Sequence, residues 1–202
     1  MPVVSKGKNY VFGQKLEDVA EFVGLEGTGH TPLPPEQLTK KWLIALRAAQ
    51  RYVRQLPDPL LLQDVIPNRP RHIRIMSHHI FRICEAFLDS TINGTEYAVG
   101  HANVPPADGT CMTGEGIAQY GEGVIARLEK WWTSVPDKNL TAEIPTYYGP
   151  QPLHVVYERS TWHSAQHARQ IVSVLQGFGI AEQPVLTEKD YSGLPMPKGL
   201  WA

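Results

Sequence analysis

Two histidines, His163 and His167, stand four residues apart in a segment whose hydrophobic pattern predicts a long helix. Residues at this spacing leave the same face of a helix, so one metal ion can bind a ring nitrogen of each. That face otherwise has the spacing of a core stripe, and buried imidazoles need a partner such as a divalent metal. The stripe consists of Val156, Ser160, His163, His167, Gln170, Val174 and Phe178.

Another interpretation of the histidine pair stays open. Core-facing histidines can also hydrogen-bond each other, a hydroxyl group or a buried water without any metal. The pair is not the zinc-protease motif, because Ser164 stands where that motif has its glutamate. The sequence thus indicates a candidate metal site and no protease chemistry.

The composition limits the class of protein. The chain has 202 residues, a formal net charge of −1 and a pI of about 6.7, so no nucleic-acid partner is expected. The arginines at 69, 71, 74 and 82 are interpreted as a solvated helix start. No apolar run is long enough to cross a membrane, and residues 1–10 lack the apolar stretch of a signal peptide. With only Cys84 and Cys111, and Cys84 expected in the core, we expect a cytoplasmic protein.

The first segment predicts a small β-β-α unit. Strands are expected at 3–4 and 10–12, and a helix is expected from residue 16 to 23, where Gly24 ends it. This unit is too small for a core of its own and must dock on the rest of the chain or on another subunit. The expected organisation is this appendage at 1–26, a Gly- and Pro-rich linker at 27–35, the main domain at 36–182 and a C-terminal tail at 183–202. The tail is expected to wrap over the surface or to be partly disordered.

The main domain shows four amphipathic patterns. They predict helices over about 36–56, 71–92, 114–135 and 153–177, separated in part by two long connections. This is the pattern of a mainly α fold, a four-helix bundle with the β-β-α unit appended to it.

The second helix offers three candidates for a third ligand, because bundles build metal sites from facing helices. At about 100° per residue, His78 falls almost opposite the apolar stripe and is expected in solvent. His79 lies on the flank of the stripe, whereas His72 has a similar angle but lies two turns away. We therefore choose His79, with His72 or no third ligand as the alternatives. The remaining histidines, expected on the surface, are His30, His101 and His154.

One histidine on helix two and a histidine pair on helix four resemble the DinB/YfiT-like metalloprotein superfamily. The matching residues are His79, His163 and His167, with the stop at Gly177, and the resemblance covers roughly residues 34–180. It implies a four-helix bundle in which three histidines hold zinc, nickel or a similar ion and leave positions open. Superfamily members with known activity are often mycothiol-dependent isomerases or bacillithiol-type transferases.

The N-terminal segment is similar to the C-terminal half of a glutaredoxin-like domain. The similarity rests on Met1-Pro2-Val3-Val4, a hairpin, Gly13 and a helix ending at Leu25. No CxxC motif accompanies it, so the resemblance implies no redox activity. The segment is either a redoxin remnant or a hairpin and helix that pack on the bundle.

The resemblance implies a metal-dependent enzyme that acts with a low-molecular-weight thiol on a small electrophilic substrate, as a transferase or isomerase. In this hypothesis the ion binds His79, His163 and His167 and lowers the pKa of a bound thiol or water. The further residues considered are Ser160 for lining the pocket, Tyr147 and Tyr148 for covering it or for packing alone, and Glu85 and Glu158 as general-base candidates whose helical positions favour solvent.

The rival hypothesis is a non-catalytic metal-binding or stress-response protein whose bundle and hairpin form a homodimer. Adjacent Trp131 and Trp132 cannot both face one core, so one of them could meet a partner. Trp162, which lies off the histidine stripe, is a similar candidate. A metal-free bundle is the third hypothesis.

Overall fold

The structure, a computed structural model, describes residues 3–13, 16–25, 30–66, 69–180 and 186–201. Within these ranges the chain is mainly helical and carries three two-stranded antiparallel sheets, which confirms the mainly α prediction. Met1 and Pro2 of the redoxin-like motif, and residues 27–29 of the predicted linker, lie outside the described residues.

Four of the described helices are long, and each of their ends lies within two residues of the predicted one. Helices α2 and α3 each pack against both α4 and α5. Their ends follow local chemistry: a proline opens α2, the Thr113 hydroxyl accepts from the Gly116 amide at 3.0 Å to cap α4, and Gly94 ends α3 at a φ of 63°. The helices are α1 (Leu16–Val23), α2 (Pro35–Gln55), α3 (Ile73–Asn93), α4 (Gly114–Ser134), α5 (Leu153–Gly177) and α6 (Glu188–Tyr191).

Two of the three sheets were not predicted. Their strands have two to four residues, too few for an alternating pattern to stand out in the sequence. Each sheet ends directly before a long helix, since β4 runs into α3 and β6 runs into α5. The strands are β1 (Val3–Lys6) with β2 (Asn9–Phe12), β3 (Asp64–Ile66) with β4 (Arg69–His72), and β5 (Glu143–Ile144) with β6 (Gln151–Pro152).

An aromatic cluster occupies the core. The rings of Trp42 and Tyr157 meet edge to face at 5.2 Å, and Phe87 lies 5.3 Å from Trp131. Trp132 stacks on Tyr157 with 13° between the ring planes. Trp131 and Trp132 therefore both pack against the core, contrary to the expectation that they cannot both face it. Trp132 is only partly buried, and a contact of its ring with another subunit stays a prediction. Trp162 likewise packs against the core, and Cys84 is fully buried as predicted.

Two surface predictions for helix α5 were wrong. Glu158, expected in solvent, is buried and accepts hydrogen bonds from the His30 Nε2 at 3.1 Å and the Leu33 amide at 3.2 Å. His154, expected on the surface, is partly buried and donates from its Nε2 to the Leu33 carbonyl at 2.7 Å. These bonds tie the segment before α2 to α5, which a helical wheel of α5 alone does not contain. Phe178, expected in the core stripe, is exposed because α5 ends one residue earlier.

Among the described residues, no helix is both long enough and apolar enough to cross a membrane.

Helices α3 and α4 lie close together at Gly121, where an added Cβ would lie 2.5 Å from the Phe81 ring. We expect Gly121→Ala to lower the free energy of unfolding by about 1–3 kcal/mol, because this ring is fully buried and has little room to move. Gly123→Ala is the matched control: the same helix, an exposed position and no atom within 4 Å of the new Cβ. It should raise stability by up to about 1 kcal/mol through helix propensity. Urea unfolding of both variants measures the difference, and equal effects would contradict the close approach.

Candidate metal centre

The structure brings the three predicted histidines together. His79 comes from α3, and His163 and His167 come from α5, with one candidate ligand atom of each lying within 4.8 Å of the others. The ring centroids are 4.9 Å apart for His79 and His167 and 5.3 Å apart for His79 and His163. His72, the alternative third ligand, is exposed at the start of α3 and does not belong to this group. The three residues thus form a histidine cluster that could bind a metal ion.

Burial keeps the cluster neutral. His79 and His167 are 4% and 8% exposed, whereas His163 is only partly buried. Burial lowers the pKa of His79 to about 2, with a further contribution from His167, and lowers the pKa of His167 to about 4. Burial and the two neighbouring rings also hold the pKa of His163 well below its ordinary value. Neutral imidazole is the form that binds metals, so the ligands need not lose a proton to solvent at neutral pH.

The hydrogen bonds of two rings determine which nitrogens face the centre. The Nδ1 of His79 lies 2.6 Å from the Ala102 carbonyl oxygen, which can only accept, so Nδ1 carries the proton. The Nδ1 of His167 lies 2.6 Å from the Gln170 Oε1 and carries its proton for the same reason. In both neutral rings the Nε2 atom is therefore unprotonated and has a free lone pair.

Each of these lone pairs needs either a hydrogen-bond donor or a cation as its partner. The Nε2 of His167 lies 3.1 Å from the Nε2 of His163, so in the absence of a cation His163 must supply the proton between them. A metal ion satisfies all three nitrogens at once, and three imidazoles leave at least one coordination position for water or substrate. The donor set therefore fits a metal, although imidazole suits zinc, nickel, copper and iron alike.

The Ala102 carbonyl that orients His79 is itself held in place. It belongs to a short 3₁₀ turn, His101–Asn103, whose first carbonyl accepts from the Arg82 Nε at 3.1 Å. His101, predicted on the surface, is therefore partly buried in this turn. Outer-shell bonds of this kind fix the ring orientation of metal-binding histidines.

Glu85 is engaged in the same network and is not a free base. Its carboxylate accepts from Arg82 at 2.5 Å, from the Tyr120 hydroxyl at 2.6 Å and from Arg127 at 3.3 Å. Glu158, the other candidate, is paired with His30. Among the described residues, neither predicted general base is therefore available to a substrate at the centre.

Arg71 was missed as a site residue. The sequence placed it in a solvated helix start, but it is half-buried on β4 and makes no hydrogen bond or ion pair with any residue in the described ranges. Its charge contributes to the lowered pKa of all three histidines, and burial lowers its own pKa. Its positive charge therefore acts on the cluster. No signal within the sequence separates Arg71 from the neighbouring arginines.

His78, expected in solvent, is only 5% exposed. Its ring stacks on Tyr120 of α4 at a centroid distance of 4.7 Å and lines a cleft of about 920 Å³ that Cys111 also borders. The prediction was wrong because it assumed one buried face for α3, and α4 covers the opposite face. Of the residues predicted to line or cover the pocket, Ser160 is buried in α5. The rings of Tyr147 and Tyr148 pack edge to face on each other at a centroid distance of 4.8 Å.

No protein-family model, curated protein or solved structure matches this chain. Its class is therefore defined by its own fold and site: a mainly helical protein with a largely buried three-histidine cluster that could bind a metal ion.

Acid should destabilise the metal-free protein through its buried histidines. Burial lowers the pKa of His78 from 6.5 to about 4, so between these values the unfolded chain binds more protons and stability falls as the pH decreases. In His78→Gln this contribution is absent, and the slope of unfolding free energy against pH should decrease by up to about 1.4 kcal/mol per pH unit. Urea unfolding in the presence of a chelator measures both slopes. The difference between the proteins above pH 6.5 gives the packing effect alone, and parallel curves would contradict the buried neutral ring.

Proposed function

We propose that this chain is a DinB-like four-helix-bundle protein in which His79, His163 and His167 bind one divalent metal ion, zinc or nickel. The observation that carries the proposal is the arrangement of lone pairs: His79 and His167 are both fixed with Nε2 unprotonated in one largely buried volume. The pairwise packing of α2 and α3 against α4 and α5 supports the bundle. Imidazole nitrogens suit either metal.

We further propose that the centre is enzymatic and acts with a low-molecular-weight thiol on a small electrophilic substrate, as a transferase or isomerase. When bound, the metal would lower the pKa of a thiol and supply a thiolate at neutral pH. The chain supports this chemistry in two ways. His163 is the most exposed of the three residues, and the Arg71 guanidinium favours negative charge nearby. Free Cys84 and Cys111 support action in the reducing cytoplasm.

Metal content tests the centre directly. Protein purified without a histidine tag should contain about one ion per chain by mass spectrometry, because three converging nitrogens match a catalytic-type site. The double variant His163→Ala/His167→Ala should contain none. His72→Ala is the control, because this histidine is exposed outside the cluster, and it should keep the metal. A folded wild-type protein that takes up no zinc or nickel would make these histidines plain core residues.

The thiol proposal predicts a charge effect at Arg71. In cobalt-substituted protein, 2-mercaptoethanol should give thiolate-to-metal charge-transfer absorption. Arg71→Gln should weaken this binding roughly tenfold, the effect of about 1.4 kcal/mol of charge interaction at a half-buried site. Arg71→Lys keeps the charge and should bind nearly as well, with unchanged cobalt content in both variants. Equal thiol affinity for all three proteins would show that Arg71 does not act on the ligand.

A second candidate function is a non-catalytic metal-binding protein that forms a homodimer through its hairpin. The register of β1 and β2 places Val3, Tyr10 and Phe12 on one face, where they are 51%, 62% and 39% exposed. Such an uncovered apolar face favours a contact with a second copy. This candidate requires that the protein binds the metal ion but does not bind a thiol. Light scattering that gives the molar mass of a single chain at all protein concentrations would contradict it.

A further inference from the structure

The C-terminal strap, which we define as residues 186–201, lies along the helix that carries two of the three histidines. The Nε2 of Gln166 and the Nε2 of Gln170 both donate to the Leu200 carbonyl, at 2.7 Å and 2.8 Å. Arg169 donates to the Pro197 carbonyl at 2.9 Å. At its other end the strap is anchored by the Leu186 amide, which donates to the Tyr52 hydroxyl at 2.9 Å. The strap is therefore fastened to the same helical turn as His167.

Gln170 connects the strap to the histidine cluster. A carboxamide has one accepting end and one donating end, and those of Gln170 face opposite partners. Because the Leu200 carbonyl can only accept, it must face the amide nitrogen, and the Oε1 is then directed at His167. A reversed amide would place two oxygens against each other and would turn its NH₂ group toward the ring. The orientation of this amide and the tautomer of His167 are therefore one coupled choice.

The Nδ1–H of His79 is held in a simpler way than that of His167. Its Nδ1–H meets a backbone carbonyl directly, and that carbonyl has no donating alternative. His167 has instead a side-chain amide, which could present either end. The Leu200 carbonyl removes this ambiguity, and the Gln166 amide on the same oxygen holds the carbonyl in position.

We propose that Gln170 is a positioning residue and that the strap, through the Leu200 carbonyl, sets the tautomer of His167 and leaves its Nε2 free to bind a metal. The metal part of this inference rests on the proposed function, but the tautomer part does not. Loss of such outer-shell partners typically weakens metal binding about 10- to 100-fold. The strap thereby determines whether His167 offers a metal ion an unprotonated Nε2.

A double-mutant cycle that combines a C-terminal truncation with a substitution at Gln170 tests the coupling. Truncation after Pro197 removes the Leu200 carbonyl, and Gln170→Glu replaces the two-ended amide by a carboxylate that accepts from either oxygen. With Gln170 present, truncation should weaken zinc binding about 10- to 100-fold. With Glu at this position, truncation should have little effect or improve binding, because the carboxylate needs no orientation and no longer faces a carbonyl. Trp201→Ala in the full-length chain controls for the lost ring and should bind zinc within a few-fold of wild type.

The tautomer itself is read in metal-free protein by long-range ¹H–¹⁵N NMR of the His167 ring. Full-length protein should show Nδ1 protonated and Nε2 unprotonated, truncated protein a mixture, and truncated Gln170→Glu the full-length pattern. Equal losses on truncation in both backgrounds, or an unprotonated Nδ1 in the full-length chain, would overturn the inference. A wild-type chain that binds no zinc but shows the expected tautomers would overturn the metal centre alone, because the NMR comparison then decides the role of the strap.

Discussion

The structure depends on one electrostatic constraint: three imidazole rings share a small, largely buried volume, and His79 and His167 both have an unprotonated Nε2 there. Carbonyl oxygens from two different parts of the chain, Ala102 and the side chain of Gln170, hold the protons of His79 and His167 on the outer nitrogens. Such an arrangement is unfavourable unless a proton or a cation lies between the inner nitrogens. Burial lowers the pKa values of all three rings, so an added proton that would make one of them cationic is disfavoured and the rings stay in the neutral form that binds metals.

The rest of the fold serves to hold α3 and α5 in the register that this cluster requires. A helix turns by about 100° per residue, so an error of one residue would direct a histidine to another face. The two small sheets fix both helix starts: the Ile73 amide donates to the Gln63 carbonyl at 2.9 Å, and the Leu153 amide donates to the Ala142 carbonyl at 2.8 Å. Between the helices, the Ser164 hydroxyl donates to the Ile80 carbonyl at 3.0 Å, one position from His79 and His163.

Charge is distributed unevenly around the centre. On the α4 side of α3, arginines and carboxylates are mutually satisfied: Arg82 and Arg127 share Glu85 and Asp89. Arg71 has no such partner among the described residues, although its charge reaches all three histidines. A half-buried guanidinium without a partner in the described ranges, whose charge acts on neutral rings, favours an anionic ligand. The proposed binding of a thiolate rests in part on this asymmetry.

The sequence by itself determined the four long helices, the histidine pair on α5 and the choice of His79 over His72. These follow from helical periodicity, which long segments repeat often enough to read. Tertiary structure alone decided the burial of His78 and Glu158 and the positions of the short sheets. It also decided the effect of the Arg71 charge on the histidines and the hydrogen bond from Gln170 to Leu200. A helical wheel assumes one buried face, whereas α3 is covered on two sides. Hydrogen bonds between residues far apart in the chain leave no periodic trace, because their geometry exists only after the helices have packed.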